Sequence, residues 1–327
     1  MQYTRLGTSG LRVSRITLGC MSFGDGSRTP WPWALDGQAA EPIFRQAVEL
    51  GITFWDTANA YGNGSSEQIV GKAIEQYTSR EQVVLATKVF SPMHDGPGGG
   101  GLSRKAVLEQ VDASLRRLGT DYVDLLQIHR FDPDTPVEET MEALHDVVKA
   151  GKARYLGASS MWAWQFAKMQ HAADTHSWTR FVSMQDQYNL VQREEEREMF
   201  GLLADHGVGS LPWSPLAAGL LARPWGSGST SRAGTNPTTD PAGRPLFLDS
   251  DRATVDAVEQ IAGDRGRSMA TVALAWVLRH PVVDAPVVGA TQAHHLTDAV
   301  AALDVELTDD ELARLEQPYT ARLPTYF

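Results

Sequence analysis

Residues 103–129 read SRKAVLEQVDASLRRLGTDYVDLLQIH, and this stretch decides the fold because its period changes in the middle. Val107, Val111, Leu115 and Leu118 recur at helical spacing behind a Ser103 cap, and Gly119 stops the pattern. From Tyr122 to His129 the chain becomes a short apolar run, as a parallel strand covered on both faces requires. That strand ends on a histidine.

Outward from here the same alternation repeats. Strand-like runs lie at ITLG near residue 16, Ile52 to Asp56, VVLATK (83–88), ARYLGAS (153–159), FVSMQ (181–185), GVGSLPW (207–213) and DAPVVGA (284–290). Each is followed by a helix candidate, as the 122–129 strand is by PVEETMEALHDVVKAGK, with Pro136 near its start and Gly151 after it. About eight strands alternating with helices predict an α/β chain folded as a (β/α)8 TIM barrel, a single domain over 1–327. Alternation alone does not prove closure, so a doubly wound open sheet stays open at this point. YTRLGTSGLRV is expected to form an N-terminal hairpin closing the bottom, and Thr308, Asp309 and Asp310 to open an extra C-terminal helix. Two long loops interrupt the repeat. The one at 91–103 is glycine-rich but lacks the Lys-Ser/Thr of a phosphate loop, and the one at 217–250 reads as a lid or unstructured insert.

A net charge of −11 argues against nucleic-acid and anionic-membrane partners, which need a clustered basic surface. A lone cysteine, Cys20, excludes an internal disulfide and reads as a structural thiol. No run approaches the roughly 18 apolar residues of a spanning helix, so a cytoplasmic protein is expected. His294 and His295 have no acidic or cysteine companion at ligand spacing, and no metal site is expected. Oligomeric state is not legible.

In a barrel the loops after every strand share one rim, where such proteins keep their chemistry. The strand ends supply Asp56 and then Tyr61, Lys88, His129, Ser159 with Ser160, Gln185, Trp213 with Ser214, and Gly289. Singly, each has an ordinary reading: Asp56 as a cap, Tyr61 as a half-buried aromatic, Lys88 as a snorkelling chain, His129 as a core histidine. Together they suit one reaction. A phenol ordinarily titrating near ~10 is a poor acid, and an adjacent ammonium lowers that value. Asp56 would keep Lys88 charged, Lys88 would lower the Tyr61 pKa, and His129 would hydrogen-bond a substrate oxygen. Tyr61 could then protonate a carbonyl oxygen while hydride reaches the carbon. No side chain carries hydride, so a nicotinamide is implied.

The motifs DTANAYGNGSSE, ATKVF, LLQIHR, GASS, MQDQYNL and WSPLAAGLL, in this order, resemble the aldo-keto reductase superfamily over nearly the whole chain. EETMEALHDVVKAGKARYLGASS and REEEREM further resemble a bacterial YajO-type branch, similar to reductases named for versiconal hemiacetal acetate. The resemblance implies Tyr61 as general acid in a tetrad with Asp56, Lys88 and His129. It also implies NADPH as cofactor, with Ser159, Ser160 and Gln185 at the carboxamide and Trp213 stacked on the nicotinamide. Gly19, Met21 and Asp56 belong to the same cofactor set; Ser214, Leu216, Gly219 and Arg223 match the pyrophosphate loop. Gly289, Thr291, His295 and Asp298 match the segment around the adenosine 2′-phosphate. Many NADPH-preferring relatives carry a basic residue just after the equivalent of Gly289, where this chain reads Gly-Ala-Thr-Gln. NADH therefore stays open beside NADPH, and Arg223, Arg232 or Arg279 are candidates to supply the charge.

The function implied is NAD(P)H-dependent reduction of an aldehyde or ketone, a small-molecule carbonyl substrate. Two alternatives stay open: YajO-type formation of 1-deoxyxylulose 5-phosphate from a pentulose phosphate, and a nucleotide-sensing regulatory subunit. Phe23, Trp31, Trp33 and Trp225 suggest an aromatic-lined mouth.

Overall fold

The computed structural model describes residues 1–27, 33–227, 239 and 243–325. An antiparallel hairpin, β1 (Tyr3–Arg5) with β2 (Arg12–Ser14), precedes the main sheet. Seven strands then follow in chain order: β3 (Thr17–Gly19), β4 (Phe54–Asp56), β5 (Val84–Val89), β6 (Val123–Ile128), β7 (Ala153–Ser159), β8 (Phe181–Gln185) and β9 (Gly209–Ser210). The eighth, β10 (Val287–Gly289), pairs with β3, and every pairing in this sheet is parallel.

The ring closes between the segments around β9 and β10. Ser210 bridges Val283 and Trp213 bridges Val287 in parallel, and the Val287 N–H donates to the Pro212 carbonyl at 2.8 Å. A doubly wound sheet would leave those edges apart. The ladder of β9 is only two residues long where 207–213 reads as a strand, because Pro212 has no N–H to contribute.

Strand alternation sorts the side chains into two cores. Phe54, Ala86, Leu125, Leu211 and Ala285 meet inside the ring, together with Leu6 and Val13 of the hairpin. Gly7 and Thr8 dock on Asp284 and Gly207, at the entrances of the last strands, so the hairpin plugs the bottom as expected. One residue along, Trp55, Leu85 and Leu126 face outward into the larger core beneath the helices. Above the inner apolar layer the inward positions turn polar: Asp56, Lys88, Gln127 and Gln185, all buried.

The capping signals predict the helix ends well. Helix Arg104–Leu118 starts with Ser103 accepting from the Ala106 N–H and ends at Gly119 with φ 68°. Helix Asp309–Glu316 opens on a Thr308–Glu311 capping box. The insert at 217–250 leads into a helix that the sequence pattern did not isolate, Arg252–Arg265, which packs on Met269–Leu278. Among the described residues no helix is long and apolar enough to cross a membrane.

Candidate active site

Asp56, the last residue of β4, lies almost wholly inside the barrel with both carboxylate oxygens occupied. Oδ2 accepts from Lys88 Nζ at 2.5 Å, while Oδ1 accepts from Gln127 Nε2 at 2.8 Å and Gln185 Nε2 at 3.1 Å. Gly157 leaves space for this polar layer, since a Cβ there would sit 2.4 Å from Ser183 Oγ and 3.0 Å from Gln127 Cγ. Lys88 spends its remaining donors on the Thr57 carbonyl at 3.1 Å and the Tyr61 hydroxyl at 3.3 Å. Burial pulls the Lys88 pKa down, yet Asp56 and Tyr61 outweigh it and hold the ammonium above its ordinary value.

Tyr61 reaches this lysine through a turn built from left-handed residues: Gly62 at φ 55°, Asn63 at 51° and Gly64 at 89°. Gly62 is obligatory, because a Cβ there would fall 2.2 Å from Ser65 Oγ. The phenol ring meets His129 edge to face, with centroids 5.7 Å apart and planes at 83°. All four residues expected to form a tetrad are thus gathered at one mouth.

One expectation is corrected. Lys88 does draw the Tyr61 pKa down, but burial of the phenol is the larger effect, and the net shift is upward. Tyr61 therefore rests as a protonated phenol over the neutral pH range. Burial, Lys88 and Arg130 push His129 well below its ordinary value, so it is a neutral imidazole. For this depressed histidine the unfolded chain binds the proton more readily, so stability is lost as pH falls through about 6.5 toward the folded-state value. His129→Gln is expected to flatten the fall in unfolding free energy between about pH 7 and 5, by up to ~1.4 kcal/mol per pH unit. Parallel melting curves across that range would sink the assignment.

The cofactor candidates form a second group beside the tetrad. Ser159 Oγ donates to the Gln185 carbonyl at 2.8 Å, and Trp213 Nε1 donates to Ser160 Oγ at 3.0 Å. The Gln185 amide turns into the barrel toward Asp56, so in this structure it braces the carboxylate. Ser214, Ala217, Ala218 and Gly219 all have positive φ, between 48° and 93°, the left-handed backbone from which anion-binding turns are built. Gly289 pairs with Gly19, which pairs with Asp56, so the segment expected to meet the adenosine lies two strands from the tetrad. Met21 follows in the turn Cys20–Ser22. Thr291 donates its N–H to His295 Nδ1 at 3.3 Å, and the Asp298 carbonyl accepts from Thr271 Oγ1. Leu216 opens and Arg223 closes the turn Ala217–Ala222. These residues fit a dinucleotide.

Of the three arginines considered for the 2′-phosphate, Arg279 is excluded. It pairs with Glu316 and packs on Trp276, near Arg15 at the opposite end of the barrel. Arg232 lies outside the described residues. Two of the expected mouth aromatics need correction: Phe23 is fully buried against Phe44, and Trp33 is buried; Trp225 is half-buried against the core, and Trp31 lies outside the described residues. Among the described residues the exposed tryptophans are instead Trp162 and Trp164, the latter edge-on to Phe131 two residues past His129.

Sequence reasoning passed over Gln127, Arg130 and Asp186. Gln127 was detectable, because a polar residue two before His129 must share its inward face. The other two depend on loop contacts that no periodicity encodes.

The aldo/keto reductase family model matches residues 15–319. The chain is 46% identical to versiconal hemiacetal acetate reductase of Aspergillus parasiticus, over 98% of either chain. It is 46% identical to aldo-keto reductase AMT2 of Alternaria alternata, over 98% of this chain and 92% of that one. Putative aryl-alcohol dehydrogenase AAD16 of Saccharomyces cerevisiae is 40% identical, over 98% and 97%. These relatives are fungal. The likeness to versiconal-type reductases stands, and the expected bacterial YajO-type branch is corrected.

Proposed function

We propose, for a chain that belongs to the aldo/keto reductase family, that Tyr61 is the proton donor to the carbonyl oxygen of its substrate. The protein is an NAD(P)H-dependent oxidoreductase acting on carbonyl groups. The bound nicotinamide supplies the hydride; the chain supplies a proton and a place for negative charge. The observation that carries the assignment is the unbroken chain from Asp56 Oδ2 through Lys88 Nζ to the Tyr61 hydroxyl. Burial keeps the phenol protonated at rest, and the fixed ammonium 3.3 Å away stabilises the phenolate left after transfer. Neutral His129, against the Tyr61 ring, orients the carbonyl oxygen by hydrogen bond.

Ser159, Ser160 and Trp213 are proposed to hold the nicotinamide, with Gln185 serving both Asp56 and the carboxamide side. The loop Ser214–Gly219 and Arg223 would take the pyrophosphate, and Gly289, Thr291, His295 and Asp298 the adenosine end. For the substrate we favour aryl or polyketide-like aldehydes and ketones. The names of the relatives and the aromatic pair of Phe131 and Trp164, just past His129, support this class. Those relatives are named as reductases and dehydrogenases, which favours turnover over nucleotide sensing and leaves the pentulose phosphate reading without support. The test is cofactor oxidation, followed by the loss of reduced-nicotinamide absorbance with aryl aldehydes, dicarbonyls and pentulose phosphates. Turnover confined to the phosphosugars would overturn the substrate class.

NADPH is the proposed donor, with weak discrimination against NADH, because Gly289-Ala-Thr-Gln292 offers the 2′-phosphate no cation. The two kcat/KM values are expected within about tenfold of each other. Gln292→Lys should raise the NADPH preference by a further factor of about ten. A wild type that ignores NADH would refute this.

A further inference from the structure

Trp213 is fastened at both ends by Asp186 or by a residue that Asp186 holds. Its backbone N–H donates to the Asp186 carbonyl at 2.8 Å, and its indole N–H donates to Ser160 Oγ at 3.0 Å. Ser160 in turn shares its N–H between the Gln185 carbonyl at 3.2 Å and Asp186 Oδ1 at 3.1 Å. That anchor has a physical purpose. Ser160 sits at φ 49°, in the left-handed region that a non-glycine residue keeps only when its surroundings hold it there.

Asp186 is fully buried, and its Oδ2 receives no hydrogen bond from a nitrogen or hydroxyl donor. The buried carboxyl of Glu195 lies beside the same group; Arg130, in the loop after β6, acts on Asp186 electrostatically, as Glu194 does on Glu195. We propose that Asp186 is a positioning residue of the cofactor site: through Ser160 and its own carbonyl it sets the plane of Trp213. The inference rests on Trp213 being the residue that stacks on the nicotinamide.

The electrostatics agree with this arrangement. Two carboxyls sharing a dry site do not both ionise. Burial pushes Asp186 up to about 7 and, with Asp186 beside it, Glu195 well above the carboxylate range. Near neutrality Glu195 keeps its proton and donates it in a hydrogen bond, while Asp186 becomes the charged, stronger acceptor for Ser160.

The test compares Asp186→Leu, which removes the acceptor, with Asp186→Asn, which keeps one and removes the charge. Kd for NADPH, read by energy transfer from protein tryptophan to bound cofactor, is measured with KM and kcat, and melting curves verify folding. Asp186→Leu is expected to weaken NADPH binding and raise its KM by on the order of tenfold to a hundredfold, with a smaller change in kcat. Asp186→Asn should restore most of that affinity. The ratio of the Asn and wild-type Kd values should also change as pH rises through about 7, where Asp186 ionises. A folded Leu variant with wild-type Kd would overturn the proposal, as would a loss that Asn does not repair. If Leu prevents folding, the pH dependence of the Asn variant decides, and a constant ratio is the negative result. Trp213→Leu separates the two layers: unchanged NADPH affinity there would remove the stacking assignment itself.

Discussion

Tyr61→Phe is expected to lower kcat about 10³-fold while leaving the Kd for NADPH within a factor of two or so of wild type. The size follows from the role. A positioned general acid contributes roughly 10² to 10⁴, and the described residues offer one hydroxyl against Lys88 Nζ, that of Tyr61. The specificity follows from the geometry. Phenylalanine keeps the ring that meets His129 edge to face and that Lys88 Nζ approaches to 5.0 Å, so packing at the mouth survives. Lys88 loses one acceptor of three and keeps Asp56 and the Thr57 carbonyl. The proposed cofactor contacts at Ser160 and Trp213 are untouched, since they belong to other strands. Single-turnover rates together with a binding titration would check both halves. Wild-type rates in the variant would dismiss Tyr61 as the acid, and a parallel loss of NADPH binding would make the residue structural.

That geometry was legible in the sequence to the extent that strand period and strand end were legible. Asp56, Lys88 and His129 each close an apolar run, and a closed ring brings the ends of its strands to one rim whatever their separation in sequence. Tyr61 was reachable because Gly62, Asn63 and Gly64 mark a turn that can carry left-handed backbone. The balance of forces on Tyr61 was not legible: the sequence names the ammonium that lowers its pKa, whereas the depth of burial that overrides it is a property of the assembled barrel. Helix Met269–Leu278 is buried on nearly all sides and so carries no amphipathic period to reveal its neighbour Arg252–Arg265. The expected mouth placement of Phe23 and Trp33 failed for a related reason. Loop aromatics count as exposed or buried only once a fold exists, and Phe23 went to the core while Trp164 stayed at the surface.

Lys88→Met should destabilise the fold by about 3–5 kcal/mol and abolish measurable reduction, whereas pairing it with Asp56→Asn should return most of the stability and none of the activity. The cost is that of a buried charge left uncompensated. Lys88 and Asp56 are both sealed inside the barrel, 2.5 Å apart, where separate ions are costly and a matched pair is tolerated. Methionine fills the space of the lysine stem but leaves the carboxylate with only the Gln127 and Gln185 amides. Asparagine then removes the stranded charge while keeping an acceptor for those amides. The pH sign is also fixed. A lysine whose folded-state pKa is raised contributes stability that is fully present below its unfolded value, about 10.4, and is lost as pH rises through the higher folded value. Wild type should therefore show a larger alkaline loss, above about pH 10, than the double variant, in which only the buried tyrosines contribute. Urea unfolding of wild type, both single variants and the double variant measures the coupling directly. If the two single costs simply add, the pair stabilises nothing jointly, and the role of Asp56 as the group that keeps Lys88 charged beside Tyr61 fails with it.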